Sequence, residues 1–248
     1  MVAIVRLILM GIFIVLSSIV VLLVCLFRPR NIMNVHFAAR LYSKISWLLG
    51  VKITVTGRGN IPSGSCVFVA NHQSNYDIFF LTAAVPPGAV SIGKKSILYF
   101  PFFGLIYWLS GNIFIERGNK IKAMQALQKT KERMLKDNIS VWLFPEGTRN
   151  YSKGLKPFNT GAFHLARNAG FPLVPVSASN YYGSFKLNKI DNGEVIIKFL
   201  PAVPHEIIAT LPVREVVATV YAQMSTEIET FDKELIPSGE DFFKVEER

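Results

Sequence analysis

The sequence predicts an α/β domain built around a largely buried sheet, preceded by an N-terminal membrane helix and a second, amphipathic helix. Three observations carry that prediction. Leu7 to Phe27 is a run of twenty-one residues without a charge. From Val51 onward, short β-branched runs alternate with helical patterns. Two near-continuous apolar runs, Cys66 to Ala70 and Val141 to Phe144, each lead directly into a polar motif. Alternation of this kind belongs to sheets covered by helices, whose ligands gather where the strands end.

Taken in order, the first element is the uncharged run, which at about 1.5 Å per residue spans roughly 31 Å, the thickness of a bilayer core. It ends in Arg28-Pro29-Arg30 rather than in a small-residue cleavage site, so it reads as an uncleaved anchor. Only Arg6 precedes it, whereas Arg28, Arg30, Arg40, Lys44, Lys52 and Arg58 follow, which assigns the bulk of the chain to the cytoplasmic side. Residues 34–49 form the second helix, with Phe37, Leu41, Ile45 and Leu48 on one face and His36, Arg40 and Lys44 on an adjacent stripe. Such a helix lies at the headgroup level or packs on the core with its charges in water.

Beyond it, strands are expected near 51–56, 66–70, 112–115, 140–144, 173–177 and 194–200, and helices over 75–84, 120–136, 160–169 and 212–233. In the last helix Val213, Val217, Val220, Met224, Ile228 and Phe231 share an apolar face. Ser96 to Ile115, twenty residues without a charge, is read as a buried or interfacial segment, with Phe102, Phe103, Tyr107 and Trp108 either in a channel wall or in the core.

Half of the 248 residues are apolar and 18% are charged, which excludes disorder. Residues 1–190 hold 22 Lys and Arg against 5 Asp and Glu, while 191–248 hold 5 against 12. A basic body beside a membrane suits anionic lipid or acidic carriers. Nucleic acid is disfavoured, because no recognition helix, zinc-finger spacing or aromatic RNA-binding signature is present. Cys25 and Cys66 sit in apolar runs as small hydrophobes, and neither a disulfide nor a metal site is expected.

The chemistry lies in the polar motifs. In Asn71-His72-Gln73-Ser74-Asn75-Tyr76-Asp77, an imidazole past a strand end is followed five residues later by a carboxylate suited to hold its other ring N–H. His72 then serves as general base toward a hydroxyl, with Asp77 as its orienting acid. Phe144-Pro145-Glu146-Gly147-Thr148-Arg149 places a carboxylate and a guanidinium on a tight turn open to a ligand, and Gly111 to Arg117 adds a second guanidinium. Arg117 and Arg149 are suited to grip a phosphate. Taken singly, each motif also reads as a helix cap or a surface ion pair, Arg117 with Glu116 and Arg149 with Glu146. There is no Gly-x-Ser-x-Gly, so a direct attack without a covalent intermediate is favoured.

The order Asn71-His72-x4-Asp77, Gly111 to Arg117, Phe144 to Arg149 and Val174-Pro175-Val176 resembles the four motif blocks of the glycerolipid acyltransferases, in their bacterial lysophosphatidic acid acyltransferase branch. Gly93-Lys94-Lys95-Ser96, Pro101-Phe102-Phe103-Gly104, Tyr107-Trp108-Leu109, Pro157-Phe158 and Gly161-Ala162-Phe163-His164 match between the blocks. The resemblance implies acyl transfer from acyl-CoA or acyl-carrier protein to the 2-hydroxyl of lysophosphatidate, with no further cofactor and no nucleic acid partner. It implies His72 and Asp77 as catalytic residues. Arg117, Glu146, Gly147, Thr148 and Arg149 would hold the acceptor, and Pro175 would shape the pocket. It further implies membrane-anchoring helices over 1–50 and a catalytic domain over 51–248, resting on the cytoplasmic face of the bacterial inner membrane. Two positions depart from the pattern: Glu116 stands where Asp is usual, and Asn159 where a Lys is common, leaving Lys156 as the nearest substitute cation.

Overall fold

A computed structural model describes residues 1–100, 102–116 and 120–235. Arg117, one of the expected phosphate-binding residues, lies outside the described residues.

Among the described residues seven strands form one sheet: β1 (Lys52–Thr56), β2 (Val67–Ala70), β3 (Ala89–Lys94), β4 (Ile113–Ile115), β5 (Ser140–Leu143), β6 (Leu173–Ala178) and β7 (Glu194–Phe199). Their order is β1-β7-β6-β2-β5-β3-β4, and every neighbouring pair is parallel except β6 with β7. Alternate residues of β2 serve opposite cores. Phe68 and Ala70 join one buried cluster, and Val67 and Val69 join the other. Both faces are therefore covered, which is why β2 reads as an unbroken apolar run rather than an alternating one.

The first face is covered by α1 (Val2–Phe27), α2 (Asn34–Tyr42), α3 (Ile45–Leu48), α4 (Asp77–Phe80) and α5 (Phe103–Leu109). The second is covered by α6 (Lys120–Asp137), α7 (Gly161–Ala169), α8 (His205–Thr210) and α9 (Val213–Leu235). In α9 the buried stripe is Val213, Val216, Val220, Met224, Ile228 and Phe231, so Val216 rather than the expected Val217 is the fully buried member.

Several elements differ from expectation: α5 lies in the segment 96–115, for which no helix is expected, and the helix expected over 75–84 is α4 followed by a 3₁₀ turn over Leu81–Ala83. β3 was not expected, because Ser91 and Gly93 interrupt its β-branched pattern; its partners β4 and β5 supply what the local sequence lacks. α8 was not expected either, being only six residues long. The helix expected over 34–49 is two, α2 and α3. The buried face of α2 is Val35, Ala38, Ala39 and Tyr42, with Phe37 and Leu41 only half-buried. Small residues there let α2 approach the sheet closely.

Helix α1 is long and apolar enough to cross a membrane. One stripe, Met10, Ser17, Val21 and Cys25, is buried against the domain, with α2, α3 and α5 as neighbours. Arg6 fastens its start: the guanidinium donates to the carbonyls of Leu48, Leu187, Lys189 and Ile190. At its other end the Arg30 N–H donates to Leu109 O at 2.8 Å. The remaining face, including Leu9, Ile12, Leu16, Ile19, Leu23 and Phe27, is exposed.

Candidate active site

The polar motifs converge because β2 and β5 are adjacent and parallel, so the loops leaving their C-terminal ends are neighbours. The loop after β2 carries His72 and the loop after β5 carries Glu146, and the two are joined directly. The His72 backbone N–H donates to Glu146 Oε1 at 2.7 Å, and the Asn150 N–H donates to His72 O at 2.8 Å.

His72 Nδ1 lies 2.5 Å from Asp77 Oδ2, and the imidazole stacks on Phe144, ring centroids 4.2 Å apart. Asp77 begins α4 and is buried. Its Oδ2 also accepts the backbone N–H groups of Gln73, at 2.7 Å, and Ser74, at 3.2 Å. The carboxylate at a helix start thus closes the loop as well as holding the ring. With Nδ1–H given to Asp77, the Nε2 lone pair is the free basic site of His72.

Three side chains to which the sequence reading gives no role complete the support. Asn71 pairs with Ala178 at the end of β6, donating to its carbonyl at 2.9 Å and accepting its N–H at 2.8 Å. Gln73 donates to Ser179 O at 2.7 Å and accepts the Tyr181 N–H at 3.1 Å. Tyr181 is buried, and its hydroxyl contacts Asp77 Oδ1 and lies 2.8 Å from Ser74 Oγ. Asn71 and Gln73 flank His72 in the motif, so their alternation around it was a usable signal. Tyr181 had none, since its partner lies 104 residues away.

The turn after β5 is built around Glu146, which is buried. Its oxygens accept the His72 N–H, the Lys156 N–H at 2.9 Å and the Asn150 amide at 3.0 and 3.2 Å. Burial raises its pKa and outweighs these hydrogen bonds, which lower it. Both oxygens are engaged by the protein, so Glu146 organises the two loops rather than presenting itself to a ligand. Gly147 turns the chain with φ +72°, and a Cβ there would come within 2.8 Å of the Asn159 amide. Asn159 in turn donates to Pro145 O at 3.0 Å. Lys156 is not a substitute cation for the cavity, because its ammonium donates to Arg149 O at 2.7 Å.

His72, Asp77, Gly147, Thr148 and Arg149 all line one cavity of about 940 Å³, which continues between α2, β3 and α5. The Arg149 Nε is buried and has no partner among the described residues. Glu146 and Pro175 do not line it. Pro175 lies inside β6 in register with Val69, its carbonyl accepting the Leu200 N–H at 2.9 Å. Of the four aromatic residues expected in a channel wall, Phe103 and Tyr107 line the cavity, whereas Phe102 and Trp108 are exposed and lie in neither the wall nor the core. Among the described residues no group of three His, Cys, Asp or Glu side chains is placed to hold a metal ion.

The profile of the acyltransferase family matches residues 52–179. The 1-acyl-sn-glycerol-3-phosphate acyltransferase of Escherichia coli (strain K12) is 39% identical over 231 residues, 93% of this chain and 94% of that protein. Its counterpart in Salmonella typhimurium is 41% identical over 212 residues, 85% and 86% of the two chains, and the human 1-acyl-sn-glycerol-3-phosphate acyltransferase alpha is 34% identical over 82% and 76%. The crystal structure of the 1-acyl-sn-glycerophosphate acyltransferase from Thermotoga maritima superposes with a TM-score of 0.71 over 94% of this chain and 98% of that one, at 23% identity. With the family profile matching residues 52–179 and relatives matching along nearly its whole length, the chain belongs to the acyltransferase family.

Proposed function

We propose that the protein transfers an acyl group from a thioester donor, acyl-CoA or acyl-carrier protein, to the 2-hydroxyl of 1-acyl-sn-glycerol-3-phosphate, giving phosphatidate. The observation that carries this reading is the His72–Asp77 contact in the wall of a cavity that Arg149 also lines. His72 Nε2 takes the proton of the acceptor hydroxyl as its oxygen attacks the thioester carbonyl, and Asp77 stabilises the imidazolium that forms. The tetrahedral intermediate collapses by breaking the carbon–sulfur bond, and the leaving thiolate recovers the proton from His72. No acyl-enzyme forms. The acceptor phosphate meets the Arg149 guanidinium in the cavity wall, and Arg117 is assigned to the same group. Base, orienting acid and cation come from side chains, so the scheme needs no cofactor beyond the thioester.

The acceptor's acyl chain occupies the apolar reach of the cavity walled by Val35, Ala38, Ile92, Phe103 and Ile106. Relatives named for the same acceptor support the choice over glycerol-3-phosphate, which has no chain to fill that space. The exposed apolar face of α1 and the basic residues after it seat the protein on the cytoplasmic face of the bacterial inner membrane, against anionic lipid.

The test is acyl transfer by purified protein, crossing both donors with lysophosphatidate, glycerol-3-phosphate and a second lysophospholipid. Transfer to lysophosphatidate is expected, falling about 10²- to 10⁴-fold in a folded His72→Ala variant. Undiminished transfer in that variant removes the base from the mechanism, and a preference for glycerol-3-phosphate overturns the acceptor.

A further inference from the structure

The segment between β3 and β4 has two apolar faces, and the reaction uses only one. Ile97, Phe100, Phe103 and Tyr107 line the cavity. Tyr99 is 81% exposed, Phe102 73%, Leu105 47% and Trp108 44%. Large apolar side chains clustered at a surface mark a contact site.

Their exposure is built in. The 3₁₀ turn Lys95–Tyr99 and α5 are clamped together: a Cβ on Gly104 would come within 2.7 Å of the Leu98 Cα, and the Gly104 N–H donates to Phe100 O at 2.9 Å. Phe102 holds φ +60°, a positive value rare for an aromatic residue, and is exposed to solvent.

Two observations identify the occupant as lipid. α5 packs beside α1, so the patch continues the exposed apolar face of that helix. Its border is cationic: the Arg30 guanidinium sits 5.8 Å from the Trp108 ring centroid, Arg28 and Lys94 are exposed, and Glu116, which pairs with Lys95 at 3.7 Å, is the first acid after Asp77 in the sequence. Aromatic rings with cations beside them suit the level of the headgroups, and apolar neighbours suit the acyl region below.

We propose that Tyr99, Phe102, Leu105 and Trp108 form a lip that enters the same leaflet as α1, so that an acceptor's acyl chain passes from the bilayer into the cavity along the inner face of this segment. The second half rests on the acyl-transfer reading; the insertion does not.

The test uses the full chain with Trp47→Phe and Trp142→Phe, which leaves Trp108 as the sole tryptophan. It is mixed with vesicles of phosphatidylethanolamine and phosphatidylglycerol carrying brominated acyl chains. A blue shift and quenching of Trp108 on vesicle binding are expected. Binding with Trp108 unshifted and unquenched overturns the lip while leaving α1 as the membrane element; failure to bind overturns both. In a second arm, Tyr99→Asp with Phe102→Asp, folded by circular dichroism, is expected to lose at least about tenfold in transfer to a long-chain acceptor in vesicles while retaining transfer to a short-chain acceptor dispersed in water. Equal loss on both overturns the lip. Absence of transfer by the unaltered protein overturns the acyl-transfer reading instead, and the quenching result still decides the insertion.

Discussion

The Tyr181 hydroxyl donates to Asp77 Oδ1, while Asp77 Oδ2 receives the His72 Nδ1–H and the backbone N–H groups of Gln73 and Ser74. Both oxygens of the buried carboxylate are thereby fixed, and the imidazole is fixed through it. Burial, then the neighbouring Asp77 charge, drives the pKa of Tyr181 upward, so its hydroxyl stays a donor across the accessible pH range.

Tyr181→Phe keeps the ring, which packs edge-on against Phe80 with centroids 4.8 Å apart, and removes the hydroxyl with its contacts to Asp77 and Ser74. The expected result is about a tenfold fall in kcat with little change in acceptor KM, and a loss of about 1–3 kcal/mol in stability from a buried oxygen left short of a partner. Steady-state kinetics and denaturant unfolding check both. A purely structural role moves only the second.

Glu146→Gln puts an amide where two carboxylate oxygens accept N–H donors from the backbone of His72 and Lys156 and the side chain of Asn150. One donor then meets another, and about 1–3 kcal/mol of stability is expected to be lost, with activity falling as the His72 loop loosens.

The same residue gives a pH signature. Burial holds Glu146 above its ordinary value of 4.5, so between that value and the raised one the folded chain binds more protons than the unfolded chain. Stability attributable to this group therefore falls as pH rises through that window, and is greatest below it. The slope is expected to flatten in Glu146→Gln, as read from thermal unfolding across the weakly acid range.

Gly93 lies on the cavity wall, and a Cβ there would come within 2.6 Å of the Tyr107 hydroxyl and 2.7 Å of Ile97 Cδ1. Gly93→Ala is expected to push those side chains inward and shift preference toward shorter acyl chains. Trp108→Ala, although in the same segment, is expected to leave the preference unchanged, because Trp108 faces outward. A competition assay over a series of chain lengths separates the two.

Cys66 is fully buried, and desolvation pushes its thiol up to about 11. Resistance to alkylation at pH 8 in the folded protein, lost on denaturation, is the expected result.

The readable part of this protein was local. The apolar run of α1, the unbroken β2 and β5 and the His72–Asp77 spacing all depend on residues near one another in the chain, and periodicity and composition express such relationships directly. His72 and Asp77 meet because five residues of loop and helix start suffice to bring them together. The Glu146 assignment shows the limit: its type and its turn were legible, but its engagement with the His72 backbone exists only because β2 and β5 are neighbours in the sheet.

What the sequence by itself determined is therefore the class of fold, the membrane-seeking N-terminus and the chemical groups at the strand ends. The tertiary structure alone decided which of those groups face the cavity, that Tyr181 holds Asp77, and that Phe103 looks inward while Phe102 looks out. The physical reason is that hydrogen bonds and packing between distant segments leave no periodic trace along the chain; they follow from strand order, which only the folded sheet fixes.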